Sequence, residues 1–165
     1  MAGLYAVGLS ETNYSDSLRA FLIGNGIWHR FIEFDEPVKT VEQASKKVPA
    51  EKIVKSIVMI GSDQKPVLAI LPARNRVSYK KVKSLLGVRD VRLANSSEVL
   101  EYSGYPVGGV PPFNNIQRVL LDPEVLQNTK SIGGGGDPNK LVELETQDLF
   151  KFLKPLVVDL SDDVD

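Results

Sequence analysis

Hydrophobic and polar residues alternate along several short segments of the chain, and such alternation is typical of half-buried β-strands. The segments richest in branched and aromatic residues are predicted strands, over residues 27–34, 53–60, 67–71, 88–93, 117–121 and 140–145. Two of them flank the turn-forming residues 61–64, so they predict a β-hairpin. The pattern therefore indicates a sheet with a hairpin near its middle.

Capping residues between these strands mark the starts of helices. Two residue pairs have the capping-box spacing, and two further residues are predicted N-caps: Thr40 with Gln43, Asn95 with Glu98, Ser78 and Thr146. The predicted helices cover residues 16–25, 40–47, 78–86, a short segment from 95, and 146–153. Residues 49–52, 122–124 and 133–136 are predicted turns.

Helices and strands interleave irregularly, which disfavours a doubly wound parallel sheet. We predict an α/β protein of the α+β type, in which helices flank a mixed, curved sheet. The chain has 165 residues and neither a repeat nor a long linker. The expectation is one domain over residues 1–165, with a core at about 16–153 and a frayed tail at 155–165.

The amino-acid composition limits which kinds of catalytic and metal site the chain can form. Hydrophobic residues make up 42% and charged residues 25% of the chain, as in globular proteins generally. There is no cysteine and only one histidine, His29, so disulfides, thiolate nucleophiles and the usual zinc sites are excluded. We expect no metal and no cofactor. No secretion signal or membrane-spanning run is evident, so a cytoplasmic protein without a membrane partner is expected.

The net charge of −1 argues against a protein that grips a long nucleic acid, because phosphate contacts usually require a basic excess. Contact with a short nucleic-acid end remains possible. Basic residues do cluster over 74–83, although a solvated helix face explains them equally simply.

One polar pair interrupts an otherwise apolar predicted strand, at Lys55 and Ser56. A strand that is apolar on both faces is usually central, and an unpaired buried ammonium is costly. Lys55 therefore either lines a cavity, where it could hold an anionic or carbonyl oxygen, or reaches water near the strand end.

Glycine-rich loops are the other candidate elements. Residues 102–113 combine glycines with prolines, which would present backbone amides rigidly, as an oxyanion hole does; a tight surface connection is the simpler alternative. The run 133–136 lacks the residues of a P-loop and is interpreted as a flexible turn in preference to a mobile lip. No GxSxG or HExxH motif occurs, and His29 lies between Trp28 and Arg30 in a predicted strand, as a structural histidine would.

Together these segments resemble the YbaK/prolyl-tRNA-synthetase-associated domain family over about residues 16–153. The resemblance is strongest at 53–58, 73–77 and 108–112, the last fitting the family's GxxxP loop, and it continues through 133–137 and 141–144. Some relatives carry a histidine near the second glycine segment, where this chain has glycines and Asp137.

The resemblance implies a barrel-like curvature of the sheet and a metal-independent hydrolase that removes wrong amino acids from tRNA. It also implies that Lys55 positions the substrate and that Gly108 and Gly109 supply backbone amides near the scissile carbonyl. The remaining candidates for substrate binding are Ser56, Val110, Pro111, Pro112, Gly134, Gly135 and Asp137. The expected partners are the 3′ acceptor end of aminoacyl-tRNA and, as a further candidate, an aminoacyl-tRNA synthetase.

Three hypotheses follow from the sequence. The first is an aminoacyl-tRNA deacylase that acts in trans; the second is a binding module of the same fold without catalysis. The third is a small-molecule binder that uses its glycine loops for phosphate. Alanine, cysteine and serine are all plausible misacylated residues, and the sequence does not choose among them.

Overall fold

The computed structural model describes residues 14–163. The outermost residues of the predicted domain, 1–13 and 164–165, lie outside the described part. The helices are α1 (Tyr14–Gly24), α2 (Val41–Ala44), α3 (Tyr79–Leu86), α4 (Ser96–Ser103) and α5 (Thr146–Leu153). The strands are β1 (His29–Glu33), β2 (Val54–Gly61), β3 (Pro66–Pro72), β4 (Val91–Leu93), β5 (Val119–Leu121), β6 (Lys130–Gly135), β7 (Asp137–Glu145) and β8 (Leu156–Val157).

The strands form two sheets. One has the order β1-β7-β6 and is antiparallel; the other has the order β4-β2-β3-β5-β8. In the second sheet β5 runs parallel to β3 and to β8, whereas β2 is antiparallel to both its neighbours. A single parallel bridge between Ile53 and Ile132 joins the two sheets. The mixed α/β architecture is confirmed, with its strands divided between two sheets that meet edge to edge.

Local signals located most helix starts correctly. The capping boxes of Thr40 with Gln43 and of Asn95 with Glu98 are both formed, and Ser78 accepts a hydrogen bond from the Lys81 amide. The prediction that Thr146 is an N-cap is wrong. Helix α5 has no side-chain cap, because the Thr146 hydroxyl is instead hydrogen-bonded to the Ser131 hydroxyl at 2.6 Å in the interior.

The largest apolar core lies where both sheets face α1. Its members include Leu18 and Leu22 of α1, Val58 of β2 and Val142 of β7. A second cluster covers the opposite face of the five-stranded sheet, where α3 packs against it. Strand β2 therefore lies between two apolar layers, as its sequence predicts.

Residues 156–163, most of the segment expected to fray, pack against the rest of the protein in the structure. Leu160 is fully buried, its amide donates to the Asp122 carboxylate at 2.9 Å, and its carbonyl accepts from the Ser78 amide at 2.7 Å. These contacts tie residues 156–163 to the five-stranded sheet.

The glycine run also differs from its prediction as a turn. Gly133, Gly134 and Gly135 belong to β6 and pair with β7, with a register shift between Gly134 and Gly135. Only Gly136, with φ of +99°, is in the turn that connects the two strands. Within residues 14–163, no helix is long and apolar enough to cross a membrane.

Candidate active-site cleft

A cleft of about 500 Å³ lies along the first half of β2. Its walls come from β2, from the segment that leads into α2, from the loop after α4 and from β6. Strand β2 supplies residues 54–58 to the lining, and its pairing with β3 along the other edge holds that strand within the sheet.

Lys55 is the central polar residue of this cleft. Its side chain is partly buried, and within the described residues no carboxylate lies within 4.0 Å of its ammonium group. Burial lowers the pKa of Lys55, and the nearby positive charge of Arg76 lowers it further. A half-buried cation without a protein partner is poised to bind a negatively charged or carbonyl oxygen of a ligand.

The rest of the lining is mostly apolar. In the described part of the chain, the only residues of the wall with polar side chains are Lys39, Thr40, Lys55 and Ser56. None of these is a carboxylate or an imidazole, so the lining offers no general base of the usual kind. Thr40 already accepts a hydrogen bond from the Gln43 amide.

Ser56 contributes its main chain to the wall but not its hydroxyl. Its Oγ is inaccessible to solvent and has no hydrogen-bond partner within residues 14–163. On the strand it shares a face with Val54 and Val58, both of which pack into the main core. A ligand in the cleft can therefore reach the backbone of Ser56 without touching its hydroxyl.

The glycine loop after α4 forms one rim. Gly108 is exposed and has φ of +91°, a backbone conformation that favours glycine. The amide of Gly109 donates to the Pro106 carbonyl at 2.9 Å, and its carbonyl accepts from the Gly136 amide at 2.8 Å. Gly109 is thus committed to holding the loop, and its amide cannot also serve as an oxyanion donor.

Two amides of the same loop remain available. Within residues 14–163 no acceptor faces the amide of Gly108 or that of Val110. Both residues line the cleft. Of the two amides expected to bind the carbonyl oxygen, that of Gly109 is therefore engaged within the loop, whereas that of Gly108, like that of Val110, has no acceptor among the described residues.

The β6–β7 hairpin supports this loop from behind. A Cβ on Gly134 would overlap the Val110 carbonyl, and one on Gly133 would lie 3.0 Å from the Pro112 ring. Asp137 accepts from the Ser15 hydroxyl at 2.7 Å and lies 3.9 Å from the Lys140 ammonium, which fixes the hairpin to the start of α1. The glycines permit close packing between two backbones.

The predicted site residues fall into two groups. Half of them line the cleft: Lys55, Ser56, Gly108, Val110 and Gly134. The other half lie behind its wall, where they pack or hydrogen-bond: Gly109, Pro111, Pro112, Gly135 and Asp137. Sequence reasoning missed the wall formed by Val38, Thr40 and Val41, for which the only sequence signal is the capping box at Thr40.

Residues 35–152 match the aminoacyl-tRNA editing domain, which covers most of the chain and the whole of the cleft. The chain belongs to the aminoacyl-tRNA editing domain family. The predicted resemblance to the YbaK and prolyl-tRNA-synthetase-associated domains is confirmed. Within the described residues, no group of three or more histidine, cysteine, aspartate or glutamate side chains could hold a metal ion.

Relatives within this family include both large and small proteins. The chain is 39% identical to proline--tRNA ligase of Thermosipho africanus over 59% of its own length, but it spans only 18% of that ligase. It is 29% identical to the protein YwhH of Bacillus subtilis over 76% of the chain and 83% of YwhH. A solved structure of a candidate trans-editing enzyme for prolyl tRNA synthetase superposes with a TM-score of 0.83, at 25% identity, covering 92% of this chain and 99% of the other.

Proposed function

We propose that the protein is an aminoacyl-tRNA deacylase that acts in trans, and that it clears mischarged tRNA in the cytoplasm. The observation that carries the proposal is Lys55, a partly buried cation with no carboxylate partner among residues 14–163, in a mostly apolar cleft of an editing-domain fold. A mischarged 3′ end offers that cation a phosphate or carbonyl oxygen, and it offers the apolar wall an amino-acid side chain. A synthetase is a further candidate partner, because relatives include proline--tRNA ligases.

The reaction would be ester hydrolysis. A water oxygen attacks the ester carbonyl carbon, the bond to the terminal ribose oxygen breaks, and the water's proton ends on that ribose oxygen. Free amino acid and uncharged tRNA leave the cleft.

In this proposal the oxyanion is bound by the amides of Gly108 and Val110, which line the cleft and have no acceptor within residues 14–163. Each such donor is worth roughly a hundredfold to a thousandfold in rate. Since the described lining holds no carboxylate or imidazole, the attacking water would be activated by the substrate and by backbone groups, with no metal. An aminoacyl ester is already reactive, so positioning it beside these donors supplies much of the remaining acceleration.

The test is deacylation of proline tRNAs that carry alanine, cysteine or serine. We expect the wild type to hydrolyse at least one of them and Lys55→Ala to lose about a hundredfold or more of that rate. Lys80→Ala is the matched control, because Lys80 is an exposed residue of α3 outside the cleft.

Two outcomes would contradict this proposal. Equal rates for wild type and Lys55→Ala would remove Lys55 from the mechanism. Tight binding of the same tRNAs without turnover by folded protein would instead favour the non-catalytic binding module.

The phosphate-binding alternative loses support from the structure, since the residues Gly133–Gly135 are paired within a sheet.

A further inference from the structure

One edge of β2 is open where it borders the cleft. Along its other edge, β2 pairs with β3 over its length, from Val54 to Ile60. On the cleft side, pairing occurs at the Ile53–Ile132 bridge and resumes near Val58, beside the end of β4. Within the described residues, no strand lies opposite Ser56 in this gap.

The direction of the Ser56 main chain follows from two hydrogen bonds. The Ile53 carbonyl accepts from the Ala73 amide at 2.9 Å on the β3 side, and the Val58 carbonyl accepts from the Ala94 amide at 3.0 Å on the β4 side. Main-chain groups point to alternate edges along a strand. Ser56, two residues before Val58, therefore directs both its N–H and its C=O to the open edge.

We infer that the main chain of Ser56 recognises the aminoacyl group itself, as a strand residue recognises its antiparallel partner. An aminoacyl ester carries the same N–Cα–C=O pattern as one strand residue. In a hydrogen-bonded antiparallel pair, each residue donates its N–H to the carbonyl oxygen of the other. The substrate's α-amino group would donate to the Ser56 carbonyl, and the Ser56 amide would donate to the ester carbonyl oxygen.

The composition of the cleft supports this assignment. A protonated α-amino group needs an acceptor, and the described lining contains no carboxylate. The Thr40 hydroxyl already accepts from the Gln43 amide, and the Ser56 hydroxyl is buried. Backbone carbonyls are the acceptors that remain, and the Ser56 carbonyl lies on the open strand edge.

Pairing of this kind also sets where the amino-acid side chain lies. Side chains of directly opposed strand residues share one face of the sheet. The substrate side chain would extend on the Ser56 face, toward the wall formed by Ala94, Val99 and Val110. This inference rests on the proposed function and specifies how its substrate is recognised, through a free α-amino group bound by the main chain of β2.

The experiment compares binding of two non-hydrolysable probes by the full chain. One is the alanine amide of 3′-amino-3′-deoxyadenosine, and the other is the same compound acetylated on its α-amino group. Acetylation removes the positive charge and leaves a single neutral N–H, so the charge-assisted hydrogen bond to the Ser56 carbonyl becomes an ordinary one and we expect the Kd to weaken by about tenfold. Lys55→Ala should weaken both probes yet leave their ratio unchanged, since the α-amino contact is made by the backbone.

Equal Kd values for the two probes, or tighter binding of the acetylated one, would overturn the inference. So would failure of both probes to bind. Hydrolysis of mischarged tRNA is measured in a separate assay. If the protein hydrolyses none of these tRNAs, the deacylase proposal fails. Tighter binding of the free-amine probe than of the acetylated probe would still support recognition by the Ser56 main chain.

Discussion

Lys55 and Ser56 are neighbours on one strand, yet their polar groups have opposite surroundings. The Lys55 ammonium reaches the cleft, where burial and Arg76 lower its pKa. The Ser56 hydroxyl faces the interior and has no hydrogen-bond partner among the residues that the structure describes. Strand alternation sends successive side chains to opposite faces, so only the lysine side chain is available to a ligand.

The unpartnered hydroxyl of Ser56 predicts an unusual response to mutation. Ser56→Ala should leave the free energy of unfolding unchanged or raise it by up to about 1 kcal/mol, because burying an unsatisfied hydroxyl is unfavourable. The matched control is Ser103→Ala. The Ser103 hydroxyl donates to the Val99 carbonyl at 2.6 Å and accepts from the Tyr105 amide, so its removal should cost about 1–3 kcal/mol. Urea unfolding measures both; a clear loss of stability in Ser56→Ala would show that its hydroxyl has a partner in solution.

Titration of Lys55 is a second prediction at this scale. Its pKa should lie below the ordinary lysine value, and Arg76→Ala should raise it part of the way back, because burial remains. NMR of ¹³C-methylated lysines across the alkaline range measures this directly. Since folding disfavours the charged form, the Lys55 contribution to stability should become more favourable as pH rises from the lowered pKa toward the ordinary one. A Lys55 pKa at or above the ordinary lysine value would contradict this explanation.

At the scale of elements, the glycine loop and the β6–β7 hairpin act as one unit. The Gly136 amide donates to the Gly109 carbonyl, and Gly134 packs directly against the Val110 carbonyl. The hairpin thereby determines where the free amides of Gly108 and Val110 point. Its glycines are needed for close backbone contact, which explains a run that otherwise resembles a flexible linker.

Gly134→Ala tests this packing. The added Cβ would overlap the Val110 carbonyl, so we expect the loop to shift, stability to fall by about 1–3 kcal/mol and deacylation to fall at least tenfold. Gly24→Ala is the control, because no heavy atom lies within 4 Å of its added Cβ at the end of α1; its stability should change by about 0.5 kcal/mol or less. Thermal unfolding and a deacylation assay report the two effects, and wild-type values for Gly134→Ala would contradict the proposed support.

Elements defined by local signals could be predicted from the sequence, and those defined by distant partners could not. The capping boxes at Thr40 and Asn95 depend on residues three apart, and both were predicted correctly. Gly133 to Gly135 lack side chains, so nothing in their own sequence indicates that β7 pairs with them. Thr146 has the residue type of a cap, but a partner fifteen residues away, Ser131, binds its hydroxyl. Lys55 was found because a charge within an apolar strand is visible locally, whereas the Val38–Val41 wall forms only through folding.

At the scale of the whole molecule, the last described segment, residues 156–163, completes the five-stranded sheet by adding its edge strand. Strand β8 extends the sheet beyond β5, and Leu160 fills the second core cluster. Lys81 of α3 binds Asp159 and Asp163, each at 2.8 Å, and these exposed ion pairs add little stability of their own. Most of the attachment therefore comes from Leu160 and its backbone hydrogen bonds.

Two leucines in this segment allow the effect of burial on stability to be distinguished from the effect of lying near the end of the described residues. Leu160 is 0% exposed, whereas Leu156 is 54% exposed. Leu160→Ala should lower the free energy of unfolding by about 2–5 kcal/mol, because it leaves a cavity among Val77, Val82 and Leu120. Leu156→Ala should change it by about 0.5 kcal/mol or less. Urea unfolding at one temperature compares them. Equal small effects would mean that the segment after Pro155 frays in solution, as its sequence suggests; a large effect confined to Leu160 would establish it as part of the core that supports β2 and its cleft.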